Sequence, residues 1–349
     1  MRVLVTGASS LLLGGVARAL AERGDDVVCL QRRRAQVFPA VEVSPDVEQN
    51  PAVEQVLGDV RDVGAVARAA RGCDAIVHGA AKVGVVGEWS EYRSVNVDGT
   101  ANVLAAARSA GVSRFVHVSS PSVAHGGEPI VGAGADPAVT GRRRAWYAES
   151  KAIAERLALV AATSDLGVVV VRPHLVWGPG DTQLVGRIVE RARAGRLALV
   201  GGGTALVDTT YVDNAVAAHV AALDAVAPGA RCSGRAYVIA NGEPRPIRDL
   251  VAGICAAAGV PFAPRDVPLR AARTAGSVVE RVWPRLARFT DDPEPPLTRF
   301  LAEQLGTAHW FDPRPARDDL GWSPHVPLDT GLARLHHWFT TNPTHPTTP

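Results

Sequence analysis

Tyr147 and Lys151 stand four residues apart in Tyr147-Ala148-Glu149-Ser150-Lys151. On a helix that spacing puts a phenol and an ammonium on one face, one turn apart. A phenol so placed can give a proton to an alkoxide forming at a carbonyl carbon, or take one back in the reverse direction. The neighbouring ammonium, with the cation of an oxidised nicotinamide carrier, is expected to favour tyrosinate and to draw the phenol below its ordinary value of ~10. Such chemistry needs a further hydroxyl to hold the reacting oxygen. His117-Val118-Ser119-Ser120-Pro121-Ser122-Val123 supplies hydroxyls at the end of an apolar run, and Ser120 is the candidate. The pattern Y-x-x-x-K alone is common on exposed helices. Here Lys151 is one of only two lysines, with Lys82, and the serine stretch precedes it.

A carbonyl reaction of this kind needs a hydride carrier, and the N-terminus reads as a place for one. Val3-Leu4-Val5-Thr6-Gly7-Ala8-Ser9-Ser10 runs from an apolar strand into a turn, and an Ala-rich helix follows. In a Rossmann-type fold this turn carries glycines, which let the backbone approach a pyrophosphate at the helix N-terminus. The pattern G-x-x-G-x-x-G would place glycines at 7, 10 and 13. The chain has Gly7, Ser10 and Leu13, with Gly14 and Gly15 after them. The expectation is a turn that binds the dinucleotide less tightly, through Thr6, Gly7 and Ser10. The second strand ends in Gln31-Arg32-Arg33-Arg34 where an acidic residue would favour NAD. Cations there can pair with a 2′-phosphate, so NADPH/NADP+ is the expected cofactor and Arg32 the expected phosphate ligand. Asp59 and Val60 end the third strand, within reach of the adenine. Ala80 and Ala81 end the fourth and leave room for the cofactor.

The elements that would position these groups alternate along the first half. Strands are expected at Arg2–Thr6, Asp26–Leu30, Val53–Leu57, Ala75–His78, Arg114–Ser119 and Gly167–Arg172. Helices are expected at Gly15–Arg23, Val63–Arg71, Val95–Ala110 and Tyr147–Thr163. Continuous apolar runs such as Val168–Val171 suit parallel strands buried on both faces. The fold class is therefore α/β, a Rossmann-type doubly wound parallel sheet, with a smaller C-terminal substrate domain. Residues 1–172 form the dinucleotide-binding part, with segments near 205–240 returning to it. Residues 173–349 form mainly the substrate domain. Within it, Val207–Val212 and Arg235–Ile239 read as strands and Ile247–Ala258 as a helix. Val43–Asn50 reads as a surface loop and Thr340–Pro349 as a frayed tail.

Composition narrows the partners. The 37 Lys+Arg nearly balance the 35 Asp+Glu, which gives no basic footprint for nucleic acid. No apolar run is long enough for a transmembrane helix, and the start lacks a signal-peptide pattern. The four cysteines are far apart, so neither a disulfide framework nor a zinc site is expected, and the expected setting is cytoplasmic.

Together these motifs resemble an extended short-chain dehydrogenase/reductase. The likeness is carried by Val5-Thr6-Gly7, Gly58-Asp59-Val60, His78-Gly79-Ala80-Ala81, Asn96-Val97-Asp98-Gly99-Thr100, Ser119-Ser120, Tyr147 to Lys151, Arg172-Pro173, Gly178-Pro179-Gly180-Asp181 and Tyr211-Val212-Asp213-Asn214. It covers nearly the whole chain. It implies Ser120, Tyr147 and Lys151 as the catalytic triad, Lys151 also binding the nicotinamide ribose, and Pro173 beside the cofactor. Within the family the chain is similar to the 3β-hydroxysteroid dehydrogenase-like subgroup. It most resembles the branch that reduces long-chain 2-alkyl-3-oxoalkanoic acids in bacterial olefin biosynthesis, a likeness supported by Pro296-Leu297-Thr298-Arg299-Phe300, Phe311-Asp312 and Asp319-Leu320-Gly321-Trp322-Ser323-Pro324, and this implies that reaction. The alternatives are oxidation of a 3β-hydroxysteroid and a non-catalytic NADP-sensing protein. The resemblance also implies a homodimer through the helices around Val95–Ala110 and Tyr147–Thr163, and association with other enzymes of the olefin pathway.

Overall fold

The computed structural model describes residues 1–34, 53–84, 87–141, 145–286 and 298–342. The Val43–Asn50 loop and most of the Thr340–Pro349 tail lie outside the described residues. The first half runs β1 (Arg2–Thr6), α1 (Leu11–Glu22), β2 (Asp26–Gln31), β3 (Glu54–Leu57), α2 (Val63–Ala70), β4 (Ala75–His78), α3 (Trp89–Tyr92), α4 (Gly99–Ser109) and β5 (Arg114–Val118). It continues through β6 (Ile130–Ala133), α5 (Trp146–Val160), β7 (Gly167–Pro173), α6 (Val185–Arg193) and α7 (Val212–Ala225).

Seven parallel strands form one sheet, in which the Arg235–Ile239 strand is followed by β7, β5, β4, β1, β2 and β3. Val168 to Val171 are wholly buried, as a strand covered on both faces requires. One face packs against α1 and α7 through Val16, Leu20, Ala218 and Leu223. The other packs against α2, α4 and α5 through Val66, Val103 and Ala158. The chain winds outward from β1 in both directions. The crevice at the carboxyl ends of β1 and β4 is therefore the topological switch point, where such sheets bind ligands. The Arg235–Ile239 strand enters this sheet from the second half of the chain. A second sheet joins Arg245–Pro246, Leu206–Val207, His309–Phe311 and β6.

Three local differences from the sequence reading have physical causes. Helix α1 starts at Leu11, four residues before the expected Gly15. Ser10 is its N-cap (φ −85°, ψ 156°), and its hydroxyl accepts from the Leu13 N–H at 3.2 Å. Leu13 is buried against Gly79, where a Cβ would meet the leucine side chain at 2.7 Å. Gly15 allows α1 to close on Val216 of α7, where a Cβ would meet that side chain at 2.7 Å. The departure from the glycine pattern is thus absorbed, with the missing side chain moved from position 13 to position 79.

The expected Val207–Val212 strand is broken. Leu206–Val207 and Thr210–Tyr211 belong to different sheets. Between them the Asp208 carboxylate accepts from the Gly242 and Glu243 N–H groups, and the Thr209 hydroxyl accepts from the Trp177 indole at 2.9 Å. The expected helix over Val95–Ala110 begins with a π-helical turn, Arg93–Asp98. Such turns gather at functional sites.

Leu13→Ala removes a side chain wedged between α1 and the end of β4. It is expected to lower stability by about 2–5 kcal/mol, read from the urea midpoint. An unchanged midpoint would show that Leu13 does not fill this gap.

Candidate active site

The site is framed by polar groups at the carboxyl ends of β1, β4, β5 and β7. Thr6 ends β1, and its hydroxyl accepts from the Gly79 and Ala80 N–H groups at 3.2 and 3.1 Å. Its one proton is then directed to His78 Nδ1, 2.7 Å away. His78 Nε2 therefore carries the ring proton and donates to Thr100 Oγ1 at 2.9 Å, which donates to the Asn96 carbonyl at 2.6 Å. Burial, with Lys151 nearby, lowers His78 to about 3, so the ring is neutral. Asn96 sits in the π turn. Its side chain accepts from the Lys82 N–H at 2.7 Å and donates to the Lys82 carbonyl and to Ser150 Oγ, at 3.0 and 2.9 Å. Ser150 donates to the Tyr147 carbonyl at 2.8 Å. This network pins the first turn of α5, which carries the phenol.

Tyr147 is the second residue of α5, and Ser120 stands close enough to its phenol to favour ionisation. Ser120 accepts at Oγ from the Ser122 hydroxyl (3.0 Å) and N–H (3.3 Å), which leaves its own proton for Tyr147. The chain's own groups do not lower the phenol. Burial raises Tyr147 above its ordinary value, and Ser120 opposes this only in part. Tyr147 is thus held as the neutral phenol, the form that can donate.

Lys151 follows one turn later, 4% exposed, with Nζ donating to the Val118 carbonyl of β5 at 2.5 Å. Burial lowers it to about 8, and Glu155, a further turn along, opposes the fall. Glu155 and Arg172 of β7 are 0% and 1% exposed and paired through two hydrogen bonds, Nε to Oε2 at 2.9 Å and Nη2 to Oε1. Ser119 donates to the same Oε2 at 2.6 Å, and Arg172 Nη1 donates to the Asp136 carbonyl at 2.8 Å. Neither Glu155 nor Asn96 was assigned a role from sequence. The i,i+4 step from Lys151 to Glu155 was the available signal, but its partner Arg172 comes from a distant strand. His117, beside His78, is fully buried, and neither ring nitrogen has a hydrogen-bond partner among the described residues. Burial and Lys151 hold it well below the usual imidazole range. His174, given no role from sequence, is packed, with Nδ1 against the Asp208 carbonyl and its ring against Phe311.

The remaining residues singled out from sequence lie at or just past the carboxyl ends of the sheet strands. Gly7 has φ +84°, and a Cβ there would meet the Ala80 nitrogen at 2.9 Å. The turn therefore lies directly against Gly79 and Ala80, and Ala80 and Ala81 are both partly open. The glycine turn, the small side chains beside it and the capped N-terminus of α1 fit a dinucleotide pyrophosphate. Val60 is buried against Gly99. Asp59 is gripped by Arg61, whose guanidinium holds its carboxyl below the usual range, helped by burial-opposing charge from the exposed Arg32. Arg32 follows β2 and Asp59 follows β3, two strands that neighbour each other in the sheet. Pro173 ends β7 and is registered against Ile239.

A doubly wound sheet with a switch-point glycine turn and a Ser–Tyr–Lys cluster defines a nicotinamide-dinucleotide oxidoreductase of the extended short-chain dehydrogenase/reductase class. The chain belongs to the 3-beta hydroxysteroid dehydrogenase/isomerase family, whose pattern it matches over residues 5–268. It is 47% identical to the 2-alkyl-3-oxoalkanoate reductase of Stenotrophomonas maltophilia, over 96% of this chain and 98% of that protein. It is 38% identical to the 2-alkyl-3-oxoalkanoate reductase of Shewanella oneidensis, over 95% of this chain and 84% of that one. Among solved structures, an epimerase of Methanothermobacter thermautotrophicus superposes with a TM-score of 0.75 at 22% identity, covering 98% of this chain and 92% of its own. That likeness shows the fold.

Glu155→Gln leaves the Arg172 guanidinium buried without its counter-charge. It is expected to cost about 3–5 kcal/mol of stability in urea unfolding. A loss below about 1 kcal/mol would mean that Arg172 finds another partner.

Proposed function

We propose that this chain reduces a 2-alkyl-3-oxoalkanoic acid to the 2-alkyl-3-hydroxyalkanoic acid, with NADPH as reductant. The observation that carries the reading is Ser120 set near the Tyr147 phenol, one helical turn from a buried lysine, in a chain whose reductase relatives carry that substrate in their names. When bound, the reduced nicotinamide supplies the hydride to carbon 3. Ser120 and Tyr147 hold the ketone oxygen, and Tyr147 delivers its proton as negative charge develops there. Lys151, fixed by Val118 and Glu155, holds the nicotinamide ribose and places a positive charge near the phenol. Thr6, Gly7 and Ser10 shape the pyrophosphate turn. Arg32 takes the 2′-phosphate, Asp59 and Val60 face the adenine, and Ala80, Ala81 and Pro173 border the nicotinamide side.

The product is a β-hydroxy acid, whose loss of water and carbon dioxide gives an alkene. This supports a place in long-chain olefin synthesis, beside enzymes that carry out that loss. The four described cysteines are buried free thiols, which supports a reducing, cytoplasmic setting, and no described helix is long and apolar enough to cross a membrane. A homodimer through α4 and α5 is supported by a groove between them, lined by Ala101, Leu104, Ile153, Leu157 and the 83%-exposed Val160, with Arg108, Glu149 and Arg156 at hand for cross-pairing.

The direct test is NADPH consumption with a racemic 2-alkyl-3-oxo acid, against NADP+ reduction with a 3β-hydroxysteroid. Turnover of the acid is expected; turnover of the steroid alone would replace this reading. Tyr147→Phe is expected to bind NADPH as the native protein does and to lose roughly 10²–10⁴ of its rate. A native rate would refute the proton-donor role. Arg32→Ala is expected to weaken NADPH binding roughly 10- to 150-fold while leaving NADH little changed. Equal Michaelis constants for the two cofactors in the native protein would sink the 2′-phosphate assignment.

A further inference from the structure

Ser122 is the third member of the hydroxyl cluster, and nothing above gives it a task toward substrate. It lies two residues past Ser120, within the short helical turn Pro121–Val123. Its hydroxyl is 3.0 Å from Ser120 Oγ, and Ser120 in turn stands near the Tyr147 phenol. All three residues are partly open, while Pro121, Val123 and Ser119, which alternate with them, are buried. The two serines thus occupy the less buried positions of this turn. A 3-oxo acid carries its ketone and carboxylate on carbons separated by a single atom. Turned to one side, an oxygen of each lies about 3 Å from the other. Two hydroxyls at that same separation match the pair, one for each oxygen.

We propose that Ser122 is the residue that recognises the carboxylate of the substrate, and so makes this site select 3-oxo acids over their esters and over simple ketones. The inference rests on the functional reading given above. When the ketone oxygen takes the place between Ser120 and Tyr147, Ser120 turns its proton to the substrate. The Ser122 hydroxyl, now spending its proton on Ser120, can swing it to the adjacent carboxylate. The exchange is one donated hydrogen bond for another, and the new acceptor is charged, so it is the stronger. Recognition by a neutral hydroxyl also suits the setting. A guanidinium or ammonium beside the ketone would compete with Lys151 and would hold the charged product tightly. The backbone N–H of Ser122 continues to bond Ser120 Oγ whatever the side chain does, so Ser120 keeps its place when Ser122 is changed.

The test runs in the oxidative direction, because 3-hydroxy acids are stable whereas 3-oxo acids lose carbon dioxide in solution. Native protein, Ser122→Ala and Ser122→Thr are compared with NADP+ and two substrates, a 2-alkyl-3-hydroxy acid and its methyl ester. For Ser122→Ala, KM for the acid is expected to rise roughly tenfold or more, with KM for the ester unchanged and kcat altered less than KM. Ser122→Thr, which keeps a hydroxyl, is expected to restore most of the acid's KM. If Ser122→Ala lowers kcat/KM for acid and ester alike, Ser122 merely orients Ser120, and the proposal is overturned. If it changes neither substrate, the proposal is equally overturned. A native chain that oxidises neither substrate removes the functional reading, and the inference with it. Native turnover with parallel losses in the variant removes the inference alone.

Discussion

A charged amine has to be kept inside this protein, and much of the surrounding structure answers to that demand. Burial alone draws Lys151 down to about 8. The Val118 carbonyl and the Glu155 carboxylate act against the loss of its proton. A buried carboxylate brings the same difficulty with opposite sign, and Arg172 and Ser119 meet it. Lys151 and Glu155 stand on α5, Val118 and Ser119 on the run out of β5, and Arg172 on β7. The charge network therefore fixes one helix against the ends of two strands. Buried ion pairs give little net stability compared with apolar packing of the same volume. Here the pair's contribution is position: it sets where the ammonium, and one turn before it the phenol, stand over the crevice.

A second, uncharged network does the same for the front of the helix. Thr6, His78, Thr100, Asn96 and Ser150 form a continuous chain of hydrogen bonds from β1 to the Tyr147 carbonyl. It works only while His78 stays neutral, and burial ensures that over the whole ordinary pH range. The π turn is part of this arrangement, since it carries Asn96 where its amide can reach both Lys82 and Ser150. Tyr147 is thereby held from behind through its backbone and in front through Ser120. This is the preorganisation that proton transfer to a developing oxyanion calls for.

Much of this was legible in the residues. Strands covered on both faces leave unbroken apolar runs, and the valines of β7 could be read directly. The tyrosine–lysine step and the serines of the β5 end were equally visible, because their chemistry depends on spacing along the chain. What escaped the sequence depends on contacts between distant segments. Leu13 looked like a defect until Gly79 was seen to make room for it. The Val207–Val212 run has strand composition, but Asp208 is claimed by N–H groups from Gly242 and Glu243. The burial of Tyr147, which acts against the pull of a nearby cation, is not visible in the pattern. Arg172, quoted only as part of Arg172-Pro173, gave no sign that it closes an ion pair with Glu155.

The most direct test of the buried-ammonium constraint is the pH dependence of NADPH affinity in the native protein, measured by calorimetry from roughly pH 7 to pH 9.5. Lys151 carries its proton below about 8 and sheds it above. Affinity should accordingly hold steady on the acid side and decline above about pH 8, by up to roughly tenfold per pH unit, as the ammonium is lost. In Lys151→Arg, whose charge persists throughout, the decline should disappear. A flat profile in the native protein, or an identical decline in Lys151→Arg, would contradict a dinucleotide site that depends on this buried charge.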